Sequence, residues 1–338
     1  MAKKVLLLAN LGSPDSTDTN DVSRYLSEFL MDERVIDIPY LARWLLIKGI
    51  VVPLRAPKSA KKYKSIWTEN GSPLIHITFE LAKKVQAFSG LPVYVCMRYA
   101  NPSIDAVMKK ITAEHPDIEE LVMLPLYPHY AMSSYETAVV QARNVYEANR
   151  YKFNLKIVKP FYNHPQFISA LAASIKPYLN GTYDHVLFSY HGIPERHVRK
   201  TDPTRKHCLS SKDCCSLSSE AQQFCYRHQV LKTTELVAKE LNLPADKFSY
   251  SFQSRLGQDK WLQPFTATQL NEFPGRNIKN LVIVCPAFVS DCLETLEEIR
   301  MEGKEGFIKA GGNKFEVVPC LNANDDWVAA VHQLVSEA

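Results

Sequence analysis

The sequence predicts an α/β protein of two similar doubly wound halves, each built on a parallel four-stranded sheet. Three observations predict it. Eight short apolar runs recur along the 338 residues, each followed by a stretch of helical pattern. The runs are continuous instead of alternating, which is how strands read when helices cover both faces of their sheet. Polar and ring-bearing residues come directly after the runs, where open α/β sheets bind their ligands.

In the first half the runs are Val5 to Ala9, Val93 to Met97, Leu121 to Leu126 and Leu155 to Pro160. In the second they are Val186 to Tyr190, Lys247 to Phe252, Leu281 to Cys285 and Phe315 to Val318. Four runs on each side divide the chain into residues 1–160 and 161–338, two domains of ordinary size. The second half also carries a Cys-rich insertion over about 202–226 and a closing C-terminal helix. No sequence repeat links the halves. The strand-following segments are Asn10 to Pro14, Arg98-Tyr99, Tyr127 to Tyr130, His191, Gln253-Ser254-Arg255 and Ser290 to Glu294. They point to one cleft between the halves. Gly12-Ser13-Pro14 is not a dinucleotide fingerprint and no P-loop pattern occurs, so nucleotide binding has little support.

Hydrophobic residues make up 46% and charged residues 22%, the balance of a globular chain. A net charge of +4 is too small to imply nucleic acid. The basic segment Lys58 to Lys64 reads as a solvated helix face, with an anion or carboxylate contact as the alternative. The most apolar stretch, Ile36 to Leu54, is interrupted by Asp37, Pro39, Arg43, Lys48 and Pro53, which excludes a transmembrane span. Asn10, Gly12, Pro14 and Asp15 end the apolar start too early for a signal peptide. It reads as the first strand of a cytoplasmic protein, where thiols stay reduced.

The run Val186-Leu187-Phe188 carries the most informative residue. Gly192 and Pro194 stop this strand at once, so His191 is offered at its tip by rigid backbone, able to act as a base or a metal ligand. A lone histidine at a strand end is more often a satisfied structural residue. The segment Asp291 to Ile299 reads as the start of a helix. There Glu294 and Glu298, spaced i, i+4, share one face, with Glu297 a step round and directed outward. Two carboxylates on one face repel unless solvated, paired or metal-bound. The plain alternative is an acidic first turn that complements the helix dipole.

Together these segments resemble ferrochelatases, which insert ferrous iron into a porphyrin to make haem. The resemblance runs over nearly the whole chain. It includes Leu8 to Pro14, Tyr63 with Asn70 to Leu74, Arg98-Tyr99, Leu126 to Tyr130 and Ser189 to Pro194. It continues through Gln253 to Gly257, Trp261 to Pro264 and Pro286 to Leu296. The resemblance implies two Rossmann-like halves with a porphyrin cleft between them. It implies that His191 is the essential histidine, that Glu294 faces it, and that both meet the substrate iron, with Glu298 leading away. Leu11, Tyr63, Ser72 and Tyr127 match cleft residues and Arg55 a cationic one. Tyr40 to Ile47 matches a lip over the porphyrin. Its plain alternative is an amphipathic helix packed on the core. If exposed, it could touch the inner membrane peripherally, where porphyrin partitions. Many members carry a histidine where this chain has Cys292, so that position supplies no His ligand here. A helix start could lower its thiol pKa, although packing as a small buried residue explains it as well.

Protoporphyrin IX is the expected porphyrin. The alternatives are coproporphyrin, a cobalt chelatase on the same fold, or a non-catalytic porphyrin- or iron–sulfur-binding regulator. A periplasmic binding-type protein would need a signal peptide. The sequence is silent on oligomeric state.

Four of the eight cysteines, Cys208, Cys214, Cys215 and Cys225, fall in one segment, which looks like an insertion relative to simpler ferrochelatases. Cys96, Cys285 and Cys320 sit on or after apolar runs, where packing explains them. Clustering in a reducing compartment favours metal over disulfide. The spacing lacks the paired knuckles of zinc sites. Adjacent cysteines suit two metal atoms, and four thiolates are the normal complement of a [2Fe–2S] cluster. Zinc remains the alternative, with His207 and His228 as spare ligands.

Overall fold

The computed structural model describes residues 3–255 and 259–338. Leu256 and Gly257, part of a motif singled out above, lie outside the described residues. The eight apolar runs form β1 (Lys4–Asn10), β2 (Val93–Met97), β3 (Glu120–Pro125), β4 (Asn154–Ile157), β5 (His185–His191), β6 (Phe248–Gln253), β7 (Asn280–Val284) and β8 (Lys314–Val317). β4 ends at Ile157, short of the expected Pro160. Among the described residues all pairings between these strands are parallel, in two four-stranded sheets ordered β2-β1-β3-β4 and β6-β5-β7-β8.

This order carries a functional consequence. In each sheet the chain leaves the central strand to one side and returns to the other, which makes a topological switch point beside β1 and beside β5. His191 ends β5. The six residues before it are buried, and it is the one residue of that strand that is not.

The chain divides into two compact units. One comprises residues up to Leu126, Met132–Lys159 and Asn322–Ala338; the other comprises Tyr127–Ala131 and Pro160–Leu321. The C-terminal helix Asp325–Ser336 therefore belongs to the first unit and not to the second half, where the sequence placed it. It packs on helix Pro73–Ser89, Lys84 pairs with Asp325 at 2.8 Å, and Asn324 caps its start. Trp327 anchors it with no exposed surface.

In the first unit, Gly12 adopts φ +107°, and a Cβ there would stand 1.9 Å from the Tyr99 carbonyl oxygen. Glycine lets the β1 tip and the Arg98-Tyr99 tip close on each other, and Tyr99 N–H donates to Leu11 O at 2.9 Å. In the second unit, Leu187, Ile283, Phe307 and Phe315 share a core with Ile299. Ile299 lies on helix Glu294–Gly303, so its burial sets where that helix's carboxylates stand.

Candidate active site and cysteine segment

The His191 ring is oriented by its own turn. Nδ1 lies 2.6 Å from Gly192 O. A carbonyl oxygen only accepts, so Nδ1 carries the proton and Nε2 keeps its lone pair. The backbone is fixed as well. The His191 carbonyl accepts from the Tyr226 hydroxyl at 2.8 Å, and Gly192 N–H donates to Gln253 O at 2.7 Å. A Cβ on Gly192 would meet Ser254 O at 2.9 Å and Gln253 O at 3.0 Å, so glycine permits this approach. Phe288, in the segment after β7, lies edge-on to the His191 ring with centroids 6.2 Å apart.

The acidic segment is a π-helix, Glu294–Gly303. Glu294 and Glu298 stand on successive turns of it. The same winding corrects one expectation: Glu297 points inward and is 7% exposed. Each of the other two carboxylates has a partner within this unit. Ser254 Oγ donates to Glu298 at 2.6 Å. Ser254 is at φ +60°, a left-handed conformation uncommon for serine, at the end of β6. The Cys292 thiol hydrogen-bonds to Glu294. Burial, followed by the Glu294 charge, pushes the Cys292 pKa well up, the opposite of what a helix start would do. Glu298 and Glu302 line a cavity of about 360 Å³ together with Ser254, Arg255, Thr268 and Asn271.

Thus His191, at the end of β5, and Glu294 and Glu298, on the helix that follows β7, belong to one unit. Tyr127 lies in the same unit and is buried. Leu11, Arg55, Tyr63 and Ser72 lie in the other. There Leu11 is half-buried at the β1 tip, Arg55 is exposed, and Tyr63 is buried edge-on to Tyr25 and Trp67. Ser72 is buried at the start of helix Pro73–Ser89. Arg98 is committed to a buried group: it donates to Asp32 at 2.5 Å, beside the Tyr99 hydroxyl at 3.0 Å. His129 is also structural. Burial drops its pKa to about 3, leaving it neutral between the rings of Tyr190 and Tyr226. The expected lip, helix Tyr40–Leu46, and the start of the helix Val52–Ile66 after it are inverted relative to ordinary helices. Leu41 is 74% exposed and Leu54 68%, while Arg43 is buried and donates to Ile36 O and Ile38 O. No helix of the described residues is long and apolar enough to cross a membrane.

The cysteine segment is organised by Asp202, which sequence reasoning did not single out. Its carboxylate accepts from the backbone N–H groups of Thr204, His207 and Cys208, each at 2.8 Å, and from the Thr204 hydroxyl at 2.7 Å. Cys208, Cys214 and Cys225 are buried. Cys208 and Cys215 both hydrogen-bond to the Cys225 sulfur, which pulls the Cys225 thiol down and theirs up. Arg227 donates to Cys214 Sγ at 3.7 Å. The convergence is pairwise, around Cys225. Among the described residues, no three His, Cys, Asp or Glu side chains already stand where they could hold one metal ion.

The ferrochelatase family profile matches residues 3–338. The chain belongs to the ferrochelatase family. A ferrochelatase of Stutzerimonas stutzeri is 45% identical over all of this chain and 99% of its own length. One from Opitutus terrae is 48% identical over 95% of this chain and 94% of its own. Among solved structures, SirB from Bacillus subtilis with Fe3+ matches with a TM-score of 0.54 at 12% identity, covering 99% of this chain and 95% of that one. At that identity the likeness shows a shared fold, and two all-parallel sheets flanked by helices are what this ferrochelatase-family chain has.

The Asp202 hub makes a pH prediction. Burial alone would raise its carboxyl, but the Cys208 N–H, the Thr204 hydroxyl and the His207 and Thr204 N–H groups together hold it down to about 2. A depressed folded pKa contributes stability that is complete above the unfolded value of about 4 and is lost as the pH falls through the folded one. The Asp202→Asn variant is therefore expected to unfold at lower urea at pH 7. Its midpoint should also fall less steeply than that of the wild type between about pH 4 and 2. Parallel pH profiles for the two proteins would contradict the assignment.

Proposed function

We propose that this chain inserts Fe²⁺ into protoporphyrin IX, releasing two protons and forming haem. The single observation that carries the reading is family membership along the full length, at 45% identity with a named ferrochelatase. Iron and porphyrin are substrates of a porphyrin metal chelatase. Each pyrrole N–H must lose its proton while iron exchanges its own ligands for ring nitrogens. In this reading the free Nε2 of His191 accepts a proton or meets the iron, because Nδ1–H is committed to Gly192. Glu294 takes the next position, and Glu298 hands protons to the cavity it lines with Glu302. Ser254 keeps Glu298 aimed there. A protein surface that bends the ring exposes nitrogen lone pairs otherwise held in its plane. Leu11, Tyr63, Ser72 and Tyr127 are the proposed gripping residues, with Arg55 for a propionate. The exposed apolar lip suits peripheral contact with the membrane in which porphyrin partitions.

The four cysteines fit a metal group by donor chemistry: soft sulfurs, three of them buried, one already favoured as thiolate. Cys208, Cys214, Cys215 and Cys225 would hold a [2Fe–2S] cluster. When bound, such a cluster supplies a one-electron redox couple and a covalent cross-link of the segment.

Two outcomes are expected. Purified protein converts Fe²⁺ and protoporphyrin to haem, coproporphyrin is turned over more slowly, and His191→Ala lowers kcat by about 10²-fold or more with the fold intact. Near-normal turnover in folded His191→Ala would remove the histidine from the chemistry. Aerobically purified protein is coloured and holds about two irons per chain, lost in Cys214→Ser. A colourless protein with stoichiometric zinc would end the cluster reading.

A further inference from the structure

The peptide joining His191 to Gly192 is gripped from both sides. Its N–H donates to Gln253 O at 2.7 Å, which is the pairing of β5 with β6 carried one residue past the strand end. Its carbonyl accepts from Tyr226, a residue 35 positions away that neither strand requires. Tyr226 is buried, and its ring stands edge-on to His129 with centroids 5.9 Å apart. His129 in turn packs edge-on against Tyr190, the residue before His191, at 5.5 Å. Burial pushes the Tyr226 phenol up, so it remains a donor at every accessible pH.

Tyr226 is also the first residue of helix Tyr226–Glu240, and that turn carries the cysteine segment on its other residues. Cys225 is the cap, its sulfur accepting from His228 N–H at 3.4 Å. Arg227 reaches Cys214 Sγ and also donates to Lys212 O at 3.2 Å. The His228 ring donates from Nδ1 to Cys215 O at 2.8 Å. One helical turn, whose backbone moves as a unit, therefore has three residues on the cysteine segment and one on the histidine's peptide.

We propose that Tyr226 is a positioning residue for His191, and that through this shared first helical turn the state of the cysteine site sets how firmly His191 is held. The second half of the proposal rests on the reading of Cys208, Cys214, Cys215 and Cys225 as a metal site. With the site filled, Cys225 is fixed and the Tyr226 hydroxyl stays on the His191 carbonyl. With the site empty, the helix start loosens, the carbonyl loses its partner, and the ring is presented less often in its productive orientation.

The test uses full-length wild type, Tyr226→Phe, Cys208→Ser and the double variant. It follows kcat, KM for porphyrin, iron content with the visible spectrum, and hydrogen exchange at the Gly192 amide. Tyr226→Phe keeps the ring and removes only the hydroxyl. It is expected to lower kcat about tenfold with KM within about twofold, to speed Gly192 exchange about tenfold, and to leave iron content and spectrum unchanged. Cys208→Ser, with iron lost, should show the same two changes, and the double variant should be no worse than either single one. Wild-type kcat and Gly192 protection in Tyr226→Phe would overturn the proposal, as would losses that multiply in the double variant. If Tyr226→Phe does not fold, chelator-treated wild type replaces it, and unchanged Gly192 exchange on metal removal overturns the coupling. A wild type that holds no metal defeats the cysteine reading alone, and Tyr226→Phe against wild type still decides whether Tyr226 positions the histidine.

Discussion

The peptide between His191 and Gly192 is the constraint on which the rest of the site depends. Two hydrogen bonds hold that peptide, Gly192 N–H to Gln253 O and Tyr226 hydroxyl to His191 O, and a third joins the His191 ring to the next carbonyl, Gly192 O. The first extends a parallel ladder that is buried on both faces, so it is as firm as the sheet itself. The third uses one ring nitrogen as a donor and so decides which nitrogen is left for chemistry. Gln253 is in turn fixed by the Ser189 hydroxyl at 2.8 Å, at the buried end of β6. A side chain held on strand ends and second contacts is placed more exactly than one held on a loop.

The carboxylates follow a different logic. They stand on a π-helix, a rare winding often found at functional sites. Ile299, packed with Leu187 and Phe315, pays for that winding by anchoring the helix in the core. Glu294 and Glu298 would repel if left bare. The Cys292 thiol and the Ser254 hydroxyl each give one of them a donor, and Glu298 opens onto a cavity it shares with Glu302. In the proposed function, a base at the ring passes its proton to these carboxylates as successive acceptors.

Much of this was legible in the sequence because parallel buried strands leave an unmistakable pattern. Each apolar run became a strand within a few residues, and His191 was readable as the tip of one. What escaped depends on long-range packing. Nothing in residues 325–336 says that their helix packs on Pro73–Ser89, since any apolar face would serve. Glu297 reads as outward on α-helical spacing and turns inward on π-helical spacing. Cys292 offered two opposite readings, and burial chose between them. Asp202 and Ser254 act through hydrogen bonds to backbone or to one carboxylate, which leave no periodic trace. Tyr226 touches His191 across 35 residues, a contact that no local spacing signals.

The account stands most directly on the tautomer of His191. Nitrogen-15 NMR of histidine-labelled protein, with the ring neutral and its signals assigned through His191→Ala, reads that tautomer without any substrate. The geometry requires the proton on Nδ1, giving a bare, lone-pair-bearing Nε2. A His191 ring protonated on Nε2 would mean that the bond to Gly192 is not made, and the nitrogen assigned to the chemistry would be the wrong one.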